Sequence, residues 1–164
     1  MKKIKYILVT SILVILINGC SGYKPIFTKT DINFYISSHT IAGDQALGQQ
    51  LFSKLNKLSD SDKINKDVKK IDLEINTKIN KNISSKDATG KALQYKITLN
   101  TKIVVNDFKE NNKIFSQDFI YSTIYKVQDQ ISDTKTTEKA AIENLINRTY
   151  QDLLIKLSQN IIKQ

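Results

Sequence analysis

Two stretches of strict alternation constrain this chain more than anything else in it. From Ile71 onward, Ile71, Leu73, Ile75, Ile79 and Ile83 share one parity, while Asp72, Glu74, Asn76, Lys78, Asn80 and Asn82 share the other. Successive side chains of an extended strand point to opposite faces, so this pattern demands a long strand with one buried face and one wet face. Ser84 to Lys91 (SSKDATGK) supplies turn chemistry at Asp87 and Gly90. The alternation then resumes with Leu93, Tyr95, Ile97, Leu99, Ile103 and Val105 set against Gln94, Lys96, Thr98, Asn100 and Lys102. A hairpin of two long strands follows from these residues alone.

The remaining elements are read by the same rule. Asp31 to Ser37 alternates through Ile32, Phe34 and Ile36 and predicts a short first strand, with a turn over His39 to Gly43. Leu47, Leu51, Leu55 and Leu58 recur at helical spacing, so residues 44–58 predict a helix with Asp44 as its N-cap. Ser59 to Val68 is a charged connection, and Asn106 to Lys113 a hairpin loop before a fourth strand over 114–127. That last strand has large residues on both parities: Phe115, Phe119, Tyr121, Tyr125 and Val127 on one, Ile120 and Ile124 on the other. It is either a central strand, a strand crossed by a helix, or one with an extra face for a partner protein.

Ile142, Leu145, Ile146, Thr149, Leu153, Leu157 and Ile161 form a stripe that predicts a final helix from about Thr137 to Ile162. Thr136 or Thr137 is the expected cap, and Glu138 suits the positive end of the helix dipole. Such a helix runs to roughly 39 Å and a strand of about 13 residues to roughly 43 Å, so one can lie along the other. The expected fold is therefore α+β: a two-layer sandwich of order strand-helix-strand-strand-strand-helix, with both helices on one face of a mostly antiparallel four-stranded sheet.

The N-terminus sets the context. Met1-Lys2-Lys3-Ile4-Lys5 precedes the apolar run Tyr6 to Ile17 and then Asn18-Gly19-Cys20. A basic start, a short apolar stretch and a small residue before the cut make residues 1–19 a secretory signal peptide. The run is too short for a transmembrane helix of about 20 apolar residues. The only cysteine of the 164-residue chain stands directly after that small residue, and Leu16-Ile17-Asn18-Gly19-Cys20 resembles a bacterial lipobox. Cys20 is then the lipidation site, residues 20–30 a lipidated tether, and 31–164 a single domain. Several acyl chains on one residue hold a protein to a bilayer far better than one. Ser21, where an aspartate would retain a lipoprotein at the inner membrane, directs the expectation to the outer membrane of a double-membraned bacterium, with the domain on the periplasmic side.

The formal charge is +9, and losing residues 1–19 removes Lys2, Lys3 and Lys5 but no carboxylate, leaving +6. Lysine supplies all the basic residues except Arg148, whereas bidentate phosphate recognition favours arginine. Much of the excess reads as a Lys-Ile-Asn compositional bias. A periplasmic home argues against nucleic acid and leaves lipopolysaccharide as the polyanion within reach.

Catalytic chemistry finds little to use. His39 is the only imidazole and is read as a surface residue; no glycine-rich phosphate loop, metal-ligand spacing or nucleophile elbow occurs. The chain reads as no enzyme, with no metal and no cofactor beyond the covalent lipid on Cys20. The candidate binding residues are Lys86 and Lys91 at the tip between the two long strands, and Lys135 just before the final helix. Each is also what an ordinary solvated lysine looks like; together at one end of a sheet they could meet the phosphates of a lipid A head group.

With lipobox, element order and loop in hand, the chain resembles the LptE family of lipopolysaccharide-assembly lipoproteins. The similarity runs through Gly19-Cys20-Ser21-Gly22-Tyr23-Lys24-Pro25-Ile26-Phe27, through Lys86 and Ala92-Leu93-Gln94-Tyr95, and through the closing stretch from Thr134 to Leu157. The resemblance implies the same sandwich, seated in the barrel of the outer-membrane translocon LptD and binding lipopolysaccharide for delivery to the outer leaflet. It also implies lipopolysaccharide contact at Lys86 and Lys135, with Lys91 the alternative to the first. The competing expectation is an envelope scaffold that holds other proteins or peptidoglycan without touching lipopolysaccharide.

Overall fold

The computed structural model describes residues 34–59 and 68–161. The expected signal peptide, the expected lipidation site Cys20, the expected tether and Asp31 to Asn33 lie outside the described residues, as does most of the Ser59 to Val68 connection. The elements run β1 (Phe34–Gly43), α1 (Gln45–Asn56), β2 (Lys69–Lys86), β3 (Ala92–Asp107), β4 (Lys113–Lys126) and α2 (Ile131–Ile161). The sheet has the order β1-β2-β3-β4, with β1 parallel to β2 and the other two pairings antiparallel. This is the expected strand-helix-strand-strand-strand-helix α+β fold, its sheet mixed because α1 carries the chain back for a parallel pairing.

The alternation builds the core as anticipated. Ile71, Leu73 and Ile75 on β2 face inward beside Ile97, Leu99, Ile103 and Val105 on β3, all nearly or wholly buried. Leu51 and Leu55 of α1 and Leu153 and Leu157 of α2 share one cluster with Ile71, Leu73, Ile75, Ile103 and Val105. Leu47 joins Ala141, Leu145 and Ile146 in an adjoining cluster over Ile97 and Leu99. Both helices therefore cover the odd-numbered face, and Asn76, Lys78, Lys96 and Lys102 of the other face are exposed.

Three boundaries differ from the sequence expectation. β1 does not turn after Ser37 but continues to Gly43, because a bulge between Ile36 and Ser38 flips its parity. Before the bulge Phe34 and Ile36 point inward; after it Ile41 does, packing on the main cluster. Gly43 then turns the chain with φ +75, and a Cβ there would lie 2.0 Å from the Thr77 carbonyl oxygen, so glycine is required. Asp44 caps α1 as expected, its side chain accepting from the Leu47 N–H at 3.1 Å.

The second difference is at the β2–β3 hairpin, where β2 runs to Lys86 and the turn is confined to Asp87 to Gly90. Its 18 residues span roughly 59 Å, longer than the roughly 46 Å of the 31-residue α2. The helices leave the hairpin tip uncovered, so Ile83 is 47% exposed although it carries core parity.

The third concerns α2, which begins at Ile131, a turn and a half before the expected start. Thr136 and Thr137 are interior residues, not caps, and their hydroxyls donate to the carbonyls of Ser132 and Asp133. Lys135, expected just before the helix, is consequently part of it. Among the described residues no helix is long and apolar enough to cross a membrane.

Candidate functional site

The basic residues singled out by sequence fall at the same end of the sheet, on two distinct features. Lys86 and Lys91 flank the β2–β3 turn, which Asp87 organises. The Asp87 carboxylate accepts from the Thr89 N–H, the Thr89 hydroxyl and the Lys91 N–H at 2.9, 2.7 and 2.9 Å. The bond from the Thr89 hydroxyl, helped by those N–H groups and the Lys91 charge, holds the Asp87 carboxyl below its usual range against an opposing loss of hydration. A fixed negative charge thus stands between the two tip lysines and tempers their field. Both lysines are exposed.

Lys135 belongs to the second feature. It lines a groove of roughly 860 Å³ between α1 and α2, together with Lys54 of α1, Lys57 at the C-cap of α1, and Lys139 of α2. Glu138, the other charged group expected early in this helix, does more than complement a dipole. It accepts from Lys81 Nζ at 2.6 Å and from the Tyr125 hydroxyl at 2.9 Å. Lys81 Nζ also sits 4.5 Å over the Tyr95 ring and 5.5 Å from the Tyr125 ring centre, a cation–π arrangement. The two rings stack at 5.7 Å. This network joins β2, β3, β4 and α2.

The charges in it are tuned by one another. Burial alone would lower the Lys81 pKa, but its bonds and attraction to Glu138 and Tyr125 outweigh that and raise it. Burial would likewise raise Glu138, and its bonds from Lys81 and Tyr125 bring it below the ordinary carboxylate value. Sequence reading missed this network, although it left a trace: Lys81 is a lysine on the core parity of β2, where an isolated charge would be costly.

A second polar set ties β4 to α2 further along. The Tyr121 hydroxyl donates to Asp152, and the Arg148 guanidinium stands 4.5 Å over the Tyr121 ring. Burial and the Asp152 carboxylate push the Tyr121 hydroxyl up to about 12, with Arg148 opposing. At the opposite end of the sheet from the tip, Asp107 bonds Lys69 at 2.5 Å and accepts from the Lys109 and Glu110 N–H groups, shaping the β3–β4 turn. His39 is exposed and stacks on Phe52 at 3.7 Å. Among the described residues no cluster of His, Cys, Asp and Glu could hold a metal ion.

The outer face of the edge strand β4 answers the question its sequence left open. Phe119 and Tyr125 are buried under α2, whereas Ile120 and Ile124 are 66% and 54% exposed on the polar side of the sheet. No helix of the chain covers that second parity among the described residues.

No family model matches the chain, and no curated protein matches it. Solved structures do. The fold is similar to that of an uncharacterized lipoprotein B from Nitrosomonas europaea, at 16% identity and a TM-score of 0.59 over 84% of this chain and 91% of that one. It is also similar to a minor lipoprotein from Acinetobacter baumannii, at 16% identity and a TM-score of 0.54 over 79% of this chain and 94% of that one. At these identities the likeness establishes a shared fold that spans nearly the whole of each known chain.

Proposed function

We propose that the chain is an outer-membrane lipoprotein, anchored through Cys20 with its domain in the periplasm, that seats in an LptD-type β-barrel and binds lipopolysaccharide for delivery to the outer leaflet. The observation that carries this reading is the coincidence of a lipobox cysteine with a fold similar to that of chains named as lipoproteins. A barrel lumen is polar, and the exposed sheet face of Asn76, Lys78, Lys96 and Lys102 suits such a wall. The exposed Ile120 and Ile124 add a small apolar patch to that face.

The role is one of binding, without catalysis, metal or resident cofactor. The lysines at this end of the sheet, Lys86, Lys91 and Lys135, supply charge for phosphate groups, and among the described residues they lack the carboxylate partners that hold Lys69 and Lys81. Such contacts are electrostatic and weaken with salt. The test is binding of the mature lipidated protein to purified lipopolysaccharide at low and high salt, with Lys86→Glu and Lys135→Glu combined. Salt-sensitive binding that the double variant weakens is expected. Binding that is absent, or indifferent to both salt and substitution, would remove the lipid half of the reading and favour an envelope scaffold.

A further inference from the structure

The hairpin tip is the obvious place for an anion, but the groove between the helices has the stronger physical claim. Lys54 in the last turn of α1 and Lys57 at its C-cap, still in helical backbone geometry, stand three residues apart, and Lys135 and Lys139 four apart on α2. All four line the same groove. Spacings of three and four put side chains on one helix face, where like charges repel and cost helix stability. Two such pairs facing one groove are a local electrostatic cost. Lys54 suits the C-terminal turn of α1, whereas Lys135 and Lys139 lie beyond the first turn of α2, where the helix dipole does nothing to favour them.

The carboxylates nearby offset the repulsion only in part. Glu138 lines the groove, but its charge is already committed to Lys81 and Tyr125. Glu143 remains as the other acidic residue of the lining. Among the described residues, none of the four lysines pairs with a carboxylate, since the ion pairs there are those of Lys69 and Lys81. Four cations therefore face one free acid.

Size and lining narrow the occupant. A groove of roughly 860 Å³ is at the upper end of the roughly 300–1,000 Å³ that holds drug-sized ligands, far more than a free phosphate fills. Leu47 and Ile142 give it an apolar surface, and Gln50 and Ser53 offer hydrogen bonds of the kind sugar hydroxyls take. We infer that the α1–α2 groove is the seat of a glycolipid head group bearing two phosphates, one neutralised by the Lys54 and Lys57 pair and the other by Lys135 and Lys139. This rests on the lipopolysaccharide reading above and moves its principal contact from the hairpin tip to the groove.

The experiment compares two variants of the mature lipidated protein against purified lipopolysaccharide at low salt: Lys54→Glu with Lys139→Glu in the groove, and Lys86→Glu with Lys91→Glu at the tip. Each reversed charge in the groove is expected to weaken binding by roughly fivefold or more, with the tip variant close to wild type. Should the charge-reversed groove protein lose its cooperative melting transition, Lys54→Gln with Lys139→Gln is the substitute, expected to weaken binding less but in the same direction. Arginine at both groove positions should restore it. Binding lost with the tip variant and kept with the groove variant overturns the groove while leaving the lipopolysaccharide reading intact. Wild-type protein that binds no lipopolysaccharide overturns both. Equal binding of inorganic pyrophosphate would show that the groove takes phosphate without the glycolipid, and would also overturn the assignment.

Discussion

Lys81 on β2 and Glu138 on α2 are 57 positions apart in sequence and bonded at 2.6 Å in the fold. The contact fixes the N-terminal part of α2 over the long strands, just where the apolar stripe of the helix has not yet begun. Its first buried residue is Ala141. The polar network thus does for the start of α2 what Leu145, Leu153 and Leu157 do for the rest.

That pair is only partly shielded, with side chains 39% and 26% exposed, so its strength is expected at the modest end. A double-mutant cycle of Lys81→Met and Glu138→Gln should show a coupling of about 0.5–1 kcal/mol, shrinking in high salt. Because the folded pKa of Glu138 is depressed, its contribution is present above pH 4.5 and fades as pH falls through the folded value. Lys81 is raised, so its share is complete below pH 10.5 and fades above it. Denaturant melts across pH check both limbs.

Tyr121 gives a separate handle on alkaline pH. Its hydroxyl is raised to about 12, so the stability it contributes is full below pH 10.0 and is lost as pH climbs toward 12. Burial also raises the Tyr125 and Tyr150 hydroxyls, so ultraviolet titration should find several tyrosines ionising late, and Tyr121→Phe should remove the step near 12. A step near 12 of undiminished amplitude in Tyr121→Phe would mean that another hydroxyl is responsible.

The strand pattern was legible because β2 and β3 are long, two-faced and free of interruption over Ile71 to Ile79 and Ile97 to Val105. What escaped reading has physical causes. At Ser37 the bulge moves the inward set from Phe34 and Ile36 to Ile41, so a pattern of period two stops looking like one. The first ten residues of α2 bury nothing, so Ile131 to Ala140 has no apolar rhythm to reveal its helix. The groove lysines were invisible for a different reason. Lys54 and Lys139 look like solvated charge on their own helices, and only packing of α1 beside α2 puts them on one surface.

Close approach of α1 to β1 depends on Gly48, where a Cβ would stand 2.4 Å from Ile41 Cγ2. Gly48→Ala should destabilise the domain by about 1–3 kcal/mol despite the better helix propensity of alanine. In an Ile41→Ala background the same substitution should cost clearly less, since the obstructing methyl is gone. Thermal or urea melts of the four proteins decide it.

Parity on β4 makes a sharp contrast between adjacent residues. Ile120 is 66% exposed and Phe119 is 5% exposed. Ile120→Lys should shift stability by less than about 0.5 kcal/mol, while Phe119→Lys buries a charge without a partner and should unfold the domain. If Ile120 contacts a barrel wall, Ile120→Lys will weaken that association while leaving the isolated domain intact.

The proposal of an anchored, barrel-seated lipoprotein is tested most directly by stoichiometry in the membrane. The protein with a C-terminal tag, expressed in its own host, is purified from detergent-solubilised outer membrane, and the co-purifying chains are identified and quantified by mass spectrometry beside a Cys20→Ser control. Recovery of one large LptD-type β-barrel in equal molar amount, dependent on Cys20 for membrane localisation, is the expected result. Recovery of the lipidated protein from the outer membrane with no barrel protein in comparable amount would contradict it.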